Sequence, residues 1–540
     1  MNSNDNSSSP QSPFSAGYNN AGVDIPPAPQ APHPVEQPVA PQTPINAPVE
    51  PVTTAPAPEP VAPTTTTQPT TPPPPPPTSV GTTPPSVVAP QSGGKIPKKP
   101  ILIAVVLLFL ALGGFSFIQF ILPRLQGGLS NQQKTITWWG LWEEPATVQP
   151  LIDEYQSTHP NIVVKYEKVA KEQYRERLAN AVAGDNGPDI MNIHNSWIPM
   201  FKSALSPMPS SVFSPQEYQQ TFYSVMTADL SSGANIVAIP QGFDGLGLYV
   251  NDEIFSTYGK EVPKTWNDVR DAAIELTVRD EKGIVKQSGI AMGSTKNVDH
   301  WQEILALLIL QNGAKLENPT GPLAEGALSF FTIFSKTDKV WDDTLPNSTT
   351  MFANGKLAMM IAPSWRAHEI LEINPTLKFH VIAPPQLPKN SPEEPDLTYA
   401  TYWANAVSAK SAHESESWEF LKFMSSKEST QKLYDNATKL RAFGQPYARV
   451  DMREQVSGDP KVGGFLSLAG NAKSWYLASR TFDGETGINS RIGKYFENAV
   501  NQVSGSSNDN PKNALATVAQ GVLQVLVDYG LAAAPPPVKN

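Results

Sequence analysis

The stretch that most constrains this chain is ILIAVVLLFLALGGFSFIQFIL, residues 101–122, which carries no charge. As a helix rising ~1.5 Å per residue it would measure about 33 Å, enough to cross a hydrocarbon core of ~30 Å. A secretory leader has a shorter apolar run, ~7 to 15 residues, and a small-residue cleavage site, neither of which fits here. The run is therefore expected to stay as a membrane span. A buried core helix is a poor alternative for so long an uncharged run. Lys95, Lys98 and Lys99 precede it and a lone Arg124 follows. The positive-inside rule then puts the preceding residues in the cytoplasm and everything after Arg124 outside. Residues 95–124 are read as an anchor with a basic flank.

Residues 1–94 contain no Lys or Arg, and about half of the 55 prolines fall in the first 100 positions. Segments such as EPVAPTTTTQPTTPPPPPP cannot bury enough apolar surface to offset chain entropy, which implies a disordered, partly polyproline II tail. A solvated tether is favoured over a ligand for proline-recognition domains. The chain has no cysteine, which excludes disulfides, thiolate metal sites, cysteine nucleophiles and a lipid-modified N-terminal cysteine. The net charge of −10 leaves the part after Arg124 at about −9. A mildly acidic body without basic runs speaks against nucleic acid.

Residues 131–540 alternate between two periodicities. Ile136 and Trp138 alternate with threonines as in a strand, and Val148, Leu151, Ile152 and Tyr155 then fall at helical spacing. NIVVKYEKV supplies a second strand, Tyr174 to Val182 a second amphipathic helix, and DIMNIH a third strand. This is βαβαβ, which implies parallel strands with right-handed crossovers. Ser214 to Glu217 and Thr265 to Asp268 read as capping boxes, the second opening a helix through Val278. Further helices are predicted near 299–311, 322–335, 366–373, 413–425 and 491–503, with strands in KLAMMIA, KFHVIAPP and NAVSAKS. These are too many elements for one ordinary sheet, so two α/β lobes are expected. In TITWWGLWEEP, residues 135–145, Trp139 and Trp142 stand where the first strand ends, and open parallel sheets bind ligands at strand exits. Glu143 and Glu144 are expected to stabilise the N-terminus of the following helix.

The body resembles the extracellular solute-binding proteins of ABC importers, the maltose- and oligosaccharide-binding type. The segments that carry the likeness are ITWWGLWEEPATVQPLIDEYQSTHPNIVVKYEKV, LANAVAGDNGPDIMNIHNSWIPMF, VAIPQGFDGLGLYVNDEIF with PKTWNDV, MFANGKLAMMIAPSW, and NAVSAKSAHESESWEFLKFMSS. The resemblance implies a two-lobed periplasmic-binding-protein fold of type II, with lobe 1 at about 131–240 and 386–440 and lobe 2 at about 245–382 and 445–540. Hinges would lie near 239–246 and 383–387. It places Trp365 as an aromatic that stacks on sugar rings, whose weakly apolar C–H face suits a flat indole. Trp142 and Trp139 resemble first-loop contacts. Asp244 would accept sugar hydroxyls, with Phe243 and Gln241 in the same loop. Asn195 and Trp197 would bind from the third strand's exit, Tyr402 and Trp403 from a ligand-proximal strand end, and Trp475 from a segment that often reaches the cleft. His194 is expected to be structural. Gly242, Gly245 and Gly247 have the wrong spacing for a dinucleotide site and suit a hinge.

The implied activity is capture of a mono- or oligosaccharide by hinge closure and delivery to ABC permease subunits, with no cofactor and no metal. A membrane span in place of a cysteine anchor departs from the usual pattern. Two other readings use the same cleft: a surface glycan sensor or adhesin, and a glycoside hydrolase. The hydrolase needs facing carboxylates, which the adjacent Glu143 and Glu144 do not provide. HExxH, GxSxG and GxxxxGK are absent.

Overall fold

A computed structural model of the chain describes residues 133–389, 391, 393–505 and 510–534. The proline-rich tail of 1–94 and the span of 101–122 lie outside the described residues. Among the described residues no helix is long and apolar enough to cross a membrane.

The first sheet starts with β1 (Lys134–Gly140), β2 (Ile162–Lys168) and β3 (Ile190–His194), and β1 pairs in parallel with both neighbours. The helix Pro145–Thr158 has proline in its first turn and buries Val148, Leu151, Ile152 and Tyr155, the four positions read from spacing. The helix Tyr174–Ala183 buries Tyr174, Leu178 and Val182 in the same way. The βαβαβ unit is therefore present. A short hairpin follows, β4 (Ser231–Ser232) and β5 (Asn235–Ile236), and then β6 (Ile239–Pro240).

The second sheet holds β7 (Gly247–Asn251), β8 (Val278–Arg279), β9 (Val285–Ile290), β10 (Leu357–Ala362) and β11 (Phe379–Ile382). Two further strands, β12 (Thr398–Tyr399) and β13 (Trp403–Val407), precede the late β14 (Ala472–Lys473). The sheet orders are β2-β1-β3-β13-β6 and β11-β7-β10-β9-β8, with β12 and β14 forming a separate pair. Two α/β lobes result, one around each five-stranded sheet.

Both capping boxes are formed, at Ser214 with Glu217 and at Thr265 with Asp268. The helix after Thr265 stops at Glu275 instead of running through Val278, because Val278 turns into β8 to pair with β9. The last predicted helix spans Ile488–Gly505, and it packs with a further helix, Pro511–Asp528, onto the helix Pro322–Lys336 of the second lobe.

The chain passes between the sheets three times. The first passage, residues 241–246, links β6 to β7. The second, 383–402, links β11 to β13 and is longer than the expected 383–387, because β12 is inserted to meet β14. The third leaves the first lobe near Arg441, and by Gly463–Leu466 the chain packs on β11 and β7. The passages touch one another. Leu246 N–H donates to Tyr399 O at 3.0 Å, Thr401 N–H to Asp244 O at 3.0 Å, and Phe243 N–H to Pro446 O at 2.8 Å. A Cβ on Gly245 would stand 2.5 Å from Tyr399 O, and one on Gly242 would stand 2.9 Å from Pro446 O. These glycines are needed for close backbone approach, and neither has the positive φ that a flexible-hinge argument would suggest.

Candidate functional site

A cavity of about 230 Å³ lies where the passages meet the strand ends of both sheets. Trp142 enters it from the turn after β1, and Trp403 from the start of β13. Trp365 enters from the turn after β10, and Phe482 from the loop after β14.

On the first lobe's side the aromatic rings hold one another. Trp142 meets Trp403 edge to face at 5.3 Å between centroids and Phe482 at 5.9 Å. Trp403 in turn meets Trp197 at 5.3 Å and His194 at 5.2 Å. The His194 ring nitrogens lie 2.7 Å from Ser196 Oγ and 3.0 Å from Thr401 Oγ1, and burial lowers its pKa to about 3. It is neutral and held by these partners, and it also lines the cavity.

On the second lobe's side polar groups position the ring. The Arg366 guanidinium lies 4.3 Å from the Trp365 ring, a cation–π contact. Its Nε–H donates to His300 Nε2 at 2.9 Å, Nη2 donates to Asp299 at 3.1 Å, and Nη1 donates to Glu369. Because Arg Nε can only donate, His300 Nε2 is the acceptor, and its other nitrogen carries the proton. That proton points to Ser479 Oγ, 3.0 Å away, and Ser479 Oγ–H donates to Glu303 Oε1 at 2.9 Å. Burial lowers the His300 pKa and keeps the imidazole neutral. The chain Arg366, His300, Ser479, Glu303 thus ties Trp365 to the loop that carries Phe482. His300, Arg480 and Phe482 all have φ between 54° and 63°. Such left-handed non-glycine residues cost free energy and concentrate at binding sites.

Asp244 is buried at the crossing, and its carboxylate is already engaged. It accepts from Gly245 N–H at 2.7 Å, Ser364 N–H at 2.9 Å and Ser364 Oγ–H at 2.9 Å. Burial raises its pKa to about 7. The residue read as an acceptor for ligand hydroxyls therefore fastens the first passage to the turn that presents Trp365.

Three cavity residues keep a buried polar atom with no hydrogen-bond partner among the described residues: Trp142 Nε1, Glu303 Oε2, which lies 3.7 Å from His300 Nδ1, and His368 Nδ1. One is a donor, one an acceptor, and the third can be either. Among the described residues no group of His, Asp and Glu is arranged to hold a metal ion.

Of the eleven positions expected to contact ligand, Trp365, Asp244, Trp142, Trp403 and Tyr402 line this cavity. The other six do not. Trp197 is fully buried between Tyr174, Phe201 and Trp403, and Phe243 is fully buried against Tyr223. Gln241 accepts from Asn192 Nδ2 at 3.1 Å, below the crossing. Trp139 falls on the opposite face of β1 from Trp138, and a strand places successive side chains on opposite faces. Asn195 and Trp475 line a different cavity. Glu143 does not serve the helix N-terminus, because it is buried and accepts from Arg441 at 2.8 Å. Glu144 stands at the N-cap of that helix, makes no side-chain capping bond, and pairs with Lys168. The sequence reading missed Phe482, His300, Glu303, Arg366 and His368. Only Glu303 left a signal, as a carboxylate within WQEILALLILQ, a helix otherwise apolar in its middle.

Residues 139–431 match the sequence pattern of a family described as bacterial extracellular solute-binding protein. A multiple sugar-binding protein of Streptococcus mutans is 23% identical over 339 residues, covering 58% of this chain and 74% of that protein. Among solved structures, the sugar-binding protein MalE from Xanthomonas citri superposes with a TM-score of 0.59 at 18% identity, over 73% of this chain and all but 2% of its own (98%). A solute-binding protein of an ABC transporter from Thermotoga lettingae, bound with α-D-tagatose, gives 0.56 at 19% identity, over 73% and 100%. At these identities the structures speak to the fold, which is that of two-lobed solute-binding proteins.

Proposed function

The chain belongs to the bacterial extracellular solute-binding protein family, and from that premise we propose that it captures a carbohydrate between its lobes and hands it to an ABC permease. The family is one of binding proteins, and no bond of the solute need change. The observation that carries the carbohydrate reading is the cavity's mixture of aromatic faces with accessible polar side chains, Lys171, Glu369 and Arg480. A hydroxyl both donates and accepts, so a polyhydroxylated ring can meet donors and acceptors while its C–H face lies on an indole. Trp365, Trp142, Trp403 and Tyr402 are the contacts proposed from the original eleven, with Phe482 and Glu303 added. Asp244 acts by positioning Trp365.

The lobes proposed earlier, about 131–240 with 386–440 and about 245–382 with 445–540, close about the three passages, a hinge motion of the kind that grips small ligands. The uncharged run of 101–122 tethers this body to the outer face of the membrane, and a tether raises the effective concentration of the loaded protein near a permease.

Calorimetric titration of the full-length protein in detergent with mono- and oligosaccharides tests the reading. Saturable binding with the sugar recovered intact is expected, and affinity at the cleft should fall about 30-fold in Trp365→Ala. Release of a cleaved product, or binding confined to solutes without hydroxyl groups, would overturn it.

A further inference from the structure

Asn195 and Trp475 miss the cleft but meet each other in a second cavity, of about 380 Å³. It opens between the turn after β3, the β4–β5 hairpin, the segment Ser474–Tyr476 and the end of the last helix at Tyr529–Leu531. At its floor is Asp229. This carboxylate accepts from Asn195 Nδ2 at 2.9 Å, Tyr402 O–H at 2.9 Å and Ser474 Oγ–H at 2.5 Å. Desolvation raises its pKa to about 6. Asn195 and Tyr402 are nine-tenths or more buried, so the floor is a built polar surface.

The geometry points to a second binding site here for a neutral saccharide unit, separate from the cleft. Several features favour that class. Trp475 is half-buried and leaves part of its indole at the cavity, and the hydroxyls of Ser231, Ser232 and Ser474 line it with Asp229. One carboxylate and one lysine, Lys202, are the charges of the lining, so neither an anion nor a cation is preferred. The volume falls in the range of ~300 to 1,000 Å³ usual for small-molecule sites, and more than half of the lining residues carry polar side chains, which suits a polyhydroxylated ligand. Trp475 serves as the stacking face, and Asp229 as acceptor for a hydroxyl.

The two sites share a wall. Tyr402 lines the cleft, and its hydroxyl donates to Asp229 in the second cavity. Asn195 and Tyr402 are also joined through Asn195 N–H to Tyr402 O at 2.9 Å. A ligand that draws on Asp229 changes the hold on Tyr402, so occupancy of the second site alters cleft affinity, and the coupling is reciprocal.

The absence of cysteine allows a single introduced thiol to carry an environment-sensitive dye. Ala234→Cys, in the exposed turn of the β4–β5 hairpin beside the second cavity, reports that cavity, and Lys171→Cys, at the cleft rim, reports the first. Full-length protein in detergent is titrated with maltotetraose and mannotriose. The expected result is a second saturable dye response at Ala234→Cys that survives Trp365→Ala and is lost in Trp475→Ala and Asp229→Asn. Since Asp229→Asn could perturb the fold, Trp475→Ala must keep the cleft response at Lys171→Cys. The inference is overturned if the Ala234→Cys response follows the cleft curve and disappears with Trp365→Ala, or if only the cleft dye responds. Silence of both dyes would overturn the carbohydrate reading of the cleft, on which the choice of probes rests, and this inference with it.

Discussion

The two sides of the cleft hold their aromatic residues by different physics. On the first lobe Trp142, Trp403 and Trp197 pack ring against ring, with centroids 5.3 Å apart at each step. On the second lobe Trp365 is positioned by Arg366, which itself is held by Asp299, His300 and Glu369. Rings packed edge to face gain from area and need no partner charges. A guanidinium held by three neighbours gives a fixed orientation, but removing it strands buried acceptors. Both walls should lose stability when a buried partner is removed, but the second should also lose the aim of its ring.

Trp403→Ala should show the largest effect, a loss of about 3 kcal/mol or more in urea unfolding, as expected when a buried aromatic leaves a cavity. Arg366→Met comes next. It leaves Asp299 short of a cation and His300 Nε2 without its donor, so about 3 kcal/mol is expected. The affinity loss in Arg366→Met should not add to that in Trp365→Ala, because both remove one platform, and a double-mutant cycle by calorimetry measures this. Additive losses would mean that Arg366 does not orient the ring. Trp365→Ala itself should cost about 2 kcal/mol of binding, the size of a hot-spot aromatic, with little change in unfolding because the ring is half-buried.

This contrast also explains what the sequence made legible. The packed wall follows from periodicity: Ile136, Trp138, Val148 and Leu151 repeat at strand and helix spacing, and that was enough to place Trp142 at a strand exit. The positioned wall depends on residues far apart in the chain. His300, Arg366 and Ser479 meet only after three passages between lobes, and no local spacing marks them. Trp197 and Trp139 show the converse difficulty. An indole near a strand end looks the same in sequence whether its neighbours open a cleft or close over it, and here Tyr174, Phe201 and Trp403 close over Trp197. The resemblance puts Trp475 in the cleft, but β14 pairs with β12 and carries this half-buried ring to the other cavity.

The last effect, a slope with pH and not a single loss, separates the walls most cleanly. Burial raises the Asp244 carboxyl, which fastens the Trp365 turn, to about 7. The folded protein therefore keeps a proton that the unfolded chain has released, and the stability this confers is whole below the unfolded value of ~3.9 and is lost as pH rises through about 7. His194, against Trp403, is lowered to about 3 by burial. Its contribution runs the other way, present above ~6.5 and lost as pH falls, since the unfolded imidazole then takes up a proton that the folded one refuses. Between about pH 4 and 6.5 the two slopes oppose each other, so the wild-type profile alone hides both. Asp244→Asn removes one of them. Urea titrations of the variant and the wild type from pH 5 to 8 should show wild-type stability declining relative to the variant by at most ~1.4 kcal/mol per pH unit up to about 7, then running parallel. A constant offset across that range would mean that Asp244 stays ionised, and that the second wall is tied down by charge at the crossing as well as at Arg366.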